Sequence, residues 1–150
     1  MNGKFKPDDT KIFFIGMGSM CKAIKDNVLK QNLLKESKDE YIKRTRQIEN
    51  SSMIGNMMIC VLDRRKYNPS YLATMSEDLL RFDKVEASFT IGRLINDKIG
   101  ISARSLGNIN VETYMRELGG GGHLTDAACQ LDEKDLKEAE KKLIEVLKEV

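Results

Sequence analysis

The chain has 150 residues, 41% of them hydrophobic and 32% charged, and its 25 basic and 23 acidic residues leave a net charge of +2. This composition is typical of one folded domain and argues against a disordered chain or a nonspecific nucleic-acid binder. No run approaches the roughly 18 apolar residues of a membrane span, and Met1–Thr10 is too polar for a signal peptide. We therefore expect a soluble, cytoplasmic protein.

Histidine and cysteine are too scarce for most metal chemistry. The chain has one histidine, His123, and three cysteines, Cys21, Cys60 and Cys129, without a CxxC spacing. A zinc site would need nearly all of them together, so we predict no metal site in this chain. We expect reduced thiols and place Cys60, which lies in an apolar run, in the core.

The first half of the chain predicts a strand, a charged helical stretch and a second strand. Lys11–Ile15 is typical of a short strand, and residues 21–50 are charged and helical in pattern. The continuous apolar run Met57–Leu62 predicts a strand buried on both faces. Asp63–Pro69 is polar and predicts a loop. Ser70 then predicts the N-cap of a helix over Tyr71–Phe82, whose apolar residues share one face.

A β-hairpin follows. Ala87, Phe89 and Ile91 alternate with polar or small residues, and the same alternation continues over Ile99–Ala103. A three-residue loop, Asn96–Lys98, places Ile91 opposite Ala103 and matches the apolar pattern better than a two-residue loop. In this register Ser102 and Arg104 share the face opposite the core.

The last third predicts two helices with a glycine-rich break between them. Asn110 caps a short helix that ends near Leu118. Gly119–Gly122 interrupt it, His123–Ala128 predict one or two helical turns, and Cys129–Leu131 a brief strand. Asp132 predicts the cap of a final amphipathic helix.

Four consecutive glycines point to a phosphate site. Glycine allows a backbone to approach a ligand closely, and successive N–H groups in such a turn form an anion-binding concavity, especially before a helix. His123 and Thr125 add side-chain donors. The alternative is a flexible turn with an incidental histidine. No Lys-Ser or Lys-Thr follows, so the segment is not a Walker A loop.

Several strings together resemble one known domain. Ile101–Ser105, Asn108–Val111 and Gly119–Ala128, supported by Val85–Phe89 and Tyr41–Arg44, are similar to the C-terminal DHH-associated domain of DHH-family phosphoesterases. The resemblance covers roughly residues 35–150. Within that family it points to bacterial cyclic di-AMP phosphodiesterases, and more distantly to nano-RNases that degrade very short RNA.

The resemblance implies an α/β fold, a central mixed sheet flanked by helices, with a nucleotide-binding surface. It predicts substrate contacts from a set of residues at the second hairpin strand and the glycine loop: Arg104, Ser105, Gly120, Gly121, Gly122, His123 and Thr125. An arginine suits this role because its guanidinium binds phosphate bidentately. Many family members carry Asn where this chain has Asp126, and we expect Asp126 to cap a turn or face away, since a carboxylate repels phosphate.

The resemblance also implies that the chemistry resides elsewhere. The family's catalytic DHH domain holds two metal ions, usually manganese, with several Asp and His residues that this chain lacks. We therefore predict no catalytic residue and no cofactor here. We predict a tail and domain remnant over residues 1–34, and over residues 35–150 a domain that binds an adenine dinucleotide or short RNA. Its expected partner is the catalytic domain of the same parent protein, and both a membrane-anchored parent and a homodimer stay open.

Two other functions are weighed against this one. Lys11–Met20 resembles the strand–turn–helix of a dinucleotide-binding fold, but Cys21 stands where glycine or alanine belongs and no acidic strand end follows. A stand-alone nucleic-acid module without catalysis would use the basic residues Lys43, Arg44 and Arg46. Few aromatic residues are present for base stacking, which disfavours broad single-strand binding.

Overall fold

The computed structural model describes residues 36–149, in which helices and strands alternate irregularly along the chain. The elements are α1 (Lys38–Glu49), β1 (Ser52–Ile54), β2 (Met57–Tyr67), α2 (Pro69–Leu79), β3 (Ala87–Leu94), β4 (Ile99–Ser105), α3 (Val111–Glu117), β5 (Gly121–His123), β6 (Asp126–Leu131) and α4 (Leu136–Glu149). The strands form one sheet in the order β1-β2-β3-β4-β6-β5. Strands β2 and β3 are parallel, with α2 as their crossover, and the other neighbours are antiparallel. The predicted α/β fold with a central mixed sheet flanked by helices is confirmed.

One face of the sheet carries the larger hydrophobic core. Alternate residues of four strands point to this face because side chains along a strand alternate in direction. They pack against the apolar sides of α3 and α4, and the buried members include Ile59, Phe89, Ile101, Ala127, Met115 and Leu143. Burial of this cluster holds the last two helices, α3 and α4, against the sheet.

The opposite face is covered only over part of its width. Helix α2 packs on it through Leu72, Met75 and Leu79, against Cys60 and Leu62 of β2. Cys60 is fully buried, as predicted. Helix α2 therefore lies over the β2–β3–β4 side of the sheet.

Buried hydroxyl groups join α2 to the sheet. Ser76 Oγ donates to the carbonyl of Ser102 at 2.9 Å and lies 2.7 Å from Thr90 Oγ1, while Ser88 Oγ donates to the Ser76 carbonyl at 2.6 Å. These side chains are small, so the helix backbone comes close to β3 and β4. Because α2 lies this close to the sheet, it forms one wall of the groove described below.

A polar network attaches α1 to the domain. Gln47 is buried, its Nε2 donates to Tyr67 Oη at 2.8 Å, and its Oε1 accepts from Tyr71 Oη at 2.7 Å. Arg44 Nε donates to Asp78 Oδ2 at 2.9 Å, in an ion pair that is mostly shielded from water. Residues 42–49 of the helix are thus part of the domain rather than a linker.

The compact unit that contains the sheet begins at Ile42, within α1. The predicted strand over Lys11–Ile15, the helical pattern before Glu36 and the predicted boundary after residue 34 lie outside the described residues and stay predictions. None of the helices within residues 36–149 is long and apolar enough to cross a bilayer.

The predicted loop over Asp63–Pro69 is wrong, because β2 continues to Tyr67. Its pairing with β3 is interrupted after Val61 by a register shift and resumes where Lys66 lies opposite Arg93. The side chains of Asp63, Arg64 and Arg65 are exposed, so their polarity does not oppose strand formation. Pairing with β3, which comes later in the chain, makes this segment a strand rather than a loop.

The predicted N-cap of α2 is also wrong. Asn68, not Ser70, caps the helix, with its Oδ1 accepting from the Tyr71 N–H at 3.1 Å. Pro69 occupies the first helical position, where its missing N–H costs nothing. The helix ends before Phe82, whose side chain is exposed instead of packed.

The β3–β4 hairpin has its three-residue loop one position earlier than the predicted Asn96–Lys98. Ile91 lies opposite Ile101 and not opposite Ala103. Asp97 ends the loop with φ = 72°, a left-handed conformation that aspartate tolerates better than most residues. The register moves by two positions, which leaves every side chain on the face that the alternation predicts.

The predicted helical turns over His123–Ala128 are wrong, because β5 and β6 form a hairpin there. Helix α4 also begins later than predicted. Asp135, not Asp132, caps it and accepts from the Glu138 N–H at 2.9 Å. The buried stripe of α4 nevertheless lies on the face that the periodicity predicts.

Candidate functional site

Three polar side chains are aligned across neighbouring strands. The register pairs Arg104 of β4 with Asp126 of β6, and Asp126 with His123 of β5. Directly opposed residues of antiparallel strands project to the same face of a sheet. This face is opposite the core stripe that holds Ala103 and Ala127. The three residues therefore form a row that begins beside α2, at Arg104, and continues onto the part of the sheet that α2 leaves uncovered.

Asp126 neither caps a turn nor faces away, so the prediction for this residue is wrong. Its carboxylate accepts a hydrogen bond from Arg104 Nη1. Arg104 also lies 3.5 Å, Nε to Oε2, from Glu77 of α2, and Nη1 donates to the Ala103 carbonyl at 3.2 Å. A guanidinium held by two carboxylates keeps one orientation.

The pairing leaves part of Arg104 available. Its side chain is only 16% exposed, whereas the side chains of Glu77 and Asp126 are 61% and 59% exposed. Within residues 36–149, Nη2 donates no hydrogen bond. A phosphate that approaches Nη2 meets a well-oriented donor, but two carboxylates already compete for the same positive charge.

A groove of about 600 Å³ runs beside this row, between α2 and strands β4 and β6. We call it the α2 groove. Pro69, Leu72 and Ala73 line its helix side, and its floor includes Gly100, Ser102 and Ala128 of the sheet. Its volume lies in the range of about 300–1,000 Å³ that is usual for small-molecule sites. Small floor residues and an apolar wall suit a flat organic group.

Arg104, Asp126, Gly119 and Gly120 also line the groove. The guanidinium, its carboxylate partner and the start of the glycine segment thus border the same cavity. An anion next to Arg104 and an apolar group beside α2 can be bound at the same time.

The fold alone, through a helix ending and close packing, accounts for three of the four glycines. Gly119 has φ = 90°, and the N–H groups of Gly119 and Gly120 donate to the carbonyls of Arg116 and Met115 at 3.0 and 2.8 Å, which is a Schellman ending of α3. A Cβ on Gly120 would lie 2.1 Å from the Ala128 carbonyl oxygen.

Gly122 has φ = 146°, and a Cβ there would lie 2.4 Å from the Asp126 carbonyl oxygen. A Cβ on Gly121, in contrast, meets no atom within 4 Å. No helix follows the glycines, so the expected concavity before a helix N-terminus is absent from this segment. Gly121 is the glycine whose side-chain space stays open, on the same face as Ala128 and His123.

The predicted site residues therefore fall into two groups. Arg104 and Gly120 line the α2 groove, and Gly121 and His123 lie on the same face of the sheet beside it. The other three, Ser105, Gly122 and Thr125, take part in local structure. Ligand contacts by the whole set stay a prediction.

Ser105 and Thr125 join the end of β4 to the β5–β6 turn. The Ser105 N–H donates to the Thr125 carbonyl at 3.1 Å, and Ser105 Oγ accepts from the Gly107 N–H at 3.1 Å. Ser105 is buried, on the core face. Both residues thereby hold Arg104 and the glycine segment in place.

The sequence reasoning did not single out Ser102 or the α2 wall formed by Leu72 and Ala73. The alternation along β4 did predict that Ser102 shares a face with Arg104, and this is confirmed by the register. Nothing local in the sequence indicates that α2 lies beside these residues.

No group of three His, Cys, Asp or Glu side chains within residues 36–149 is arranged to hold a metal ion. Cys60 and Cys129 are unpaired and buried, and burial raises the pKa of each thiol to about 12. These thiols are protonated at neutral pH and are poor nucleophiles.

The family model of the DHHA1 domain matches residues 55–149. The chain belongs to the DHHA1 domain family. Two relatives are the cyclic-di-AMP phosphodiesterase GdpP of Geobacillus thermodenitrificans, 42% identical over 124 residues, and PdeA of Listeria monocytogenes, 38% identical over 124 residues. Each alignment covers 81% of this chain and 19% of the relative. The resemblance to the DHH-associated domain of cyclic di-AMP phosphodiesterases is confirmed.

A solved structure shares the DHHA1 fold. An exopolyphosphatase-related protein from Bacteroides fragilis superimposes with a TM-score of 0.71 at 20% identity, over 83% of this chain and 38% of that one. The chain spans about a fifth of the length of the two phosphodiesterases, so their activity belongs to much longer proteins.

Proposed function

We propose that this DHHA1 domain binds the dinucleotide substrate of a cyclic di-AMP phosphodiesterase. The observation that carries the proposal is Arg104, held by Asp126 and Glu77 beside the α2 groove with Nη2 left to donate. Membership of the family and the names of two relatives support an adenine dinucleotide as the ligand.

In this proposal the ligand lies along the open part of the sheet. One phosphate binds Arg104 Nη2, and the backbone at Gly121 approaches the ligand because no Cβ intervenes. His123, exposed in the same row, donates or accepts at the far side. The domain thereby orients the scissile phosphate. Correct orientation of the reacting groups accounts for a large part of the rate enhancement in such reactions.

Hydrolysis itself is assigned to a catalytic DHH domain of the same parent protein. That domain would use manganese to generate the attacking hydroxide. The described residues of this chain supply no ligand set for such an ion, so their part is to bind and position. A cytosolic location, a membrane-anchored parent and a homodimer belong to the same proposal.

Calorimetric titration of the whole chain with linear pApA and cyclic di-AMP tests the proposal. We expect binding, and we expect Arg104→Ala to weaken it at least about tenfold, since a hydrogen bond to a charged group contributes about 1.5–3 kcal/mol. Arg116→Ala is the matched control, because this exposed arginine on α3 forms its ion pair within residues 36–149 with Glu112, away from the α2 groove. Absence of binding, or equal affinity of the two variants, would refute the role of Arg104.

Asp126→Asn gives a second test. A carboxylate about 4 Å from a phosphate costs about 1 kcal/mol in water, so the neutral amide should bind pApA about fivefold more tightly. A weaker Asn variant would mean that the hold of the Asp126 carboxylate on Arg104 favours binding more than its repulsion of the phosphate opposes it. The titration at two salt concentrations separates this charge effect from a change of shape.

The alternative of a general nucleic-acid module receives less support. Of its three basic residues, Arg44 is paired with Asp78, and Lys43 Nζ lies 5.1 Å from the centre of the Tyr67 ring. These contacts direct both side chains toward the domain. Binding of long oligonucleotides with a steep salt dependence would favour that alternative.

A further inference from the structure

Ser102 carries a buried hydroxyl group that the fold does not use. The residue is 5% exposed and lies on the floor of the α2 groove. Within residues 36–149, its Oγ has no hydrogen-bond partner, although its carbonyl accepts from Ser76 Oγ. Buried hydroxyl groups are nearly always paired, because burial without a partner costs the hydration that the group had in water.

The neighbouring hydroxyl groups show that the gap is specific to Ser102. Ser76, Ser88 and Thr90 are all fully buried, and each forms a hydrogen bond between α2 and the sheet. Their network is complete without Ser102 Oγ. The unpaired hydroxyl is therefore no part of the attachment of α2.

The surroundings of Ser102 indicate what a partner must be. Gly100 and Ala128 flank it on the floor, and Leu72 and Ala73 form the wall, so these neighbours of Ser102 are small or apolar and carry no charge. A phosphate here would lose its hydration without meeting a cation. A flat, neutral ring with a polar edge fits, since a hydroxyl group both donates and accepts.

Arg104 follows Ser102 by two residues on the same face of β4, a separation of about 7 Å. We propose that Ser102 Oγ hydrogen-bonds the polar edge of a nucleobase that enters the α2 groove while Arg104 binds the attached phosphate. This inference rests on the proposed function and adds the base-contacting residue to it.

The test compares Ser102→Ala with Ser88→Ala in the whole chain, using pApA as the probe. Ser102→Ala should weaken binding about three- to tenfold, the value of one neutral hydrogen bond. Its midpoint of urea unfolding should stay equal or rise, because the variant removes an unpaired polar group. Ser88→Ala should show the reverse, lower stability and pApA affinity within twofold of the wild type.

A titration of the wild-type chain followed by NMR gives a readout that needs no variant. The amide signals of Ser102 and Ala128 should shift on addition of pApA. If Arg104→Ala abolishes binding but Ser102→Ala leaves affinity unchanged, the inference is wrong and the proposed function stands. If the wild-type chain neither binds pApA nor shows shifts, both are wrong. Lower stability of Ser102→Ala without loss of affinity would assign the hydroxyl a structural role instead.

Discussion

Replacement of single glycines in the glycine-rich segment shows which of them are required for stability and which for ligand binding. Gly120→Ala places a Cβ 2.1 Å from the Ala128 carbonyl oxygen and 2.5 Å from Cys129 Cβ, both in β6. These atoms belong to a paired central strand and cannot move aside cheaply. Gly121→Ala, one residue later, meets nothing within 4 Å, and its φ is not in the left-handed region.

The expected costs follow from these distances. Overpacking a tight site usually costs about 1–3 kcal/mol, and a contact this short with backbone belongs at the upper end. We expect Gly120→Ala to lower the free energy of unfolding by about 3 kcal/mol, or Tm by about 6–12 °C for a chain of this size. Gly121→Ala should change stability by less than about 1 kcal/mol, in either direction.

Urea unfolding followed by circular dichroism measures both variants, and the titration with pApA completes the comparison. Gly121→Ala should fold normally and bind pApA more weakly if the ligand approaches the backbone there. Equal stability of the two alanine variants would refute the close packing of the segment against β6. Unchanged affinity of Gly121→Ala would refute the role of the open glycine.

Three further predictions concern stability and reactivity. Burial would raise the pKa of Asp63, but hydrogen bonds from Arg65 and Tyr67 outweigh it and hold the pKa well below its usual range. The resulting stability is present above the unfolded pKa of about 4 and is lost as the pH falls below it, so Asp63→Asn should flatten the decline of the unfolding free energy between about pH 5 and pH 2. Asn110→Ala removes the cap of α3 and should cost about 1 kcal/mol in urea unfolding, whereas an unchanged midpoint would mean that the cap contributes nothing. Cys60 should react with a thiol reagent only at the rate of unfolding, which stopped-flow unfolding measures independently, and faster labelling would contradict its burial.

Local pattern predicted the face of each strand better than it predicted the pairing between strands. The alternation from Ala87 to Ala103 assigned side chains to the correct faces, but the hairpin register differs by two positions from the predicted one. The apolar pattern has a period of two, so registers that differ by two fit it equally well. The loop conformation at Asp97 selects between them.

In the sequence, the glycines of Gly119–Gly122 were interpreted as evidence for a ligand. In the structure, close packing explains two of them. Gly120 and Gly122 are required by the close approach of β6, which no local pattern reveals. Asp126 likewise could not be placed beside Arg104, because the two residues are far apart in the chain and meet only through the β4–β6 register. Both errors come from contacts that long-range pairing creates.

The amino-acid sequence predicted the buried stripes of strands and helices and, through the family resemblance, the fold class and Arg104 as the phosphate-binding candidate. The stripes follow from periodicity, and the resemblance follows from the order of motifs along the chain, and both are local in the chain. Long-range pairing in three dimensions places α2 over β4 and across the groove from β6, brings Asp126 and Glu77 to the guanidinium, and buries the Ser102 hydroxyl without a partner among the described residues. A groove is formed by surfaces from separate segments, and its shape and charge exist only once strand pairing has brought those segments together.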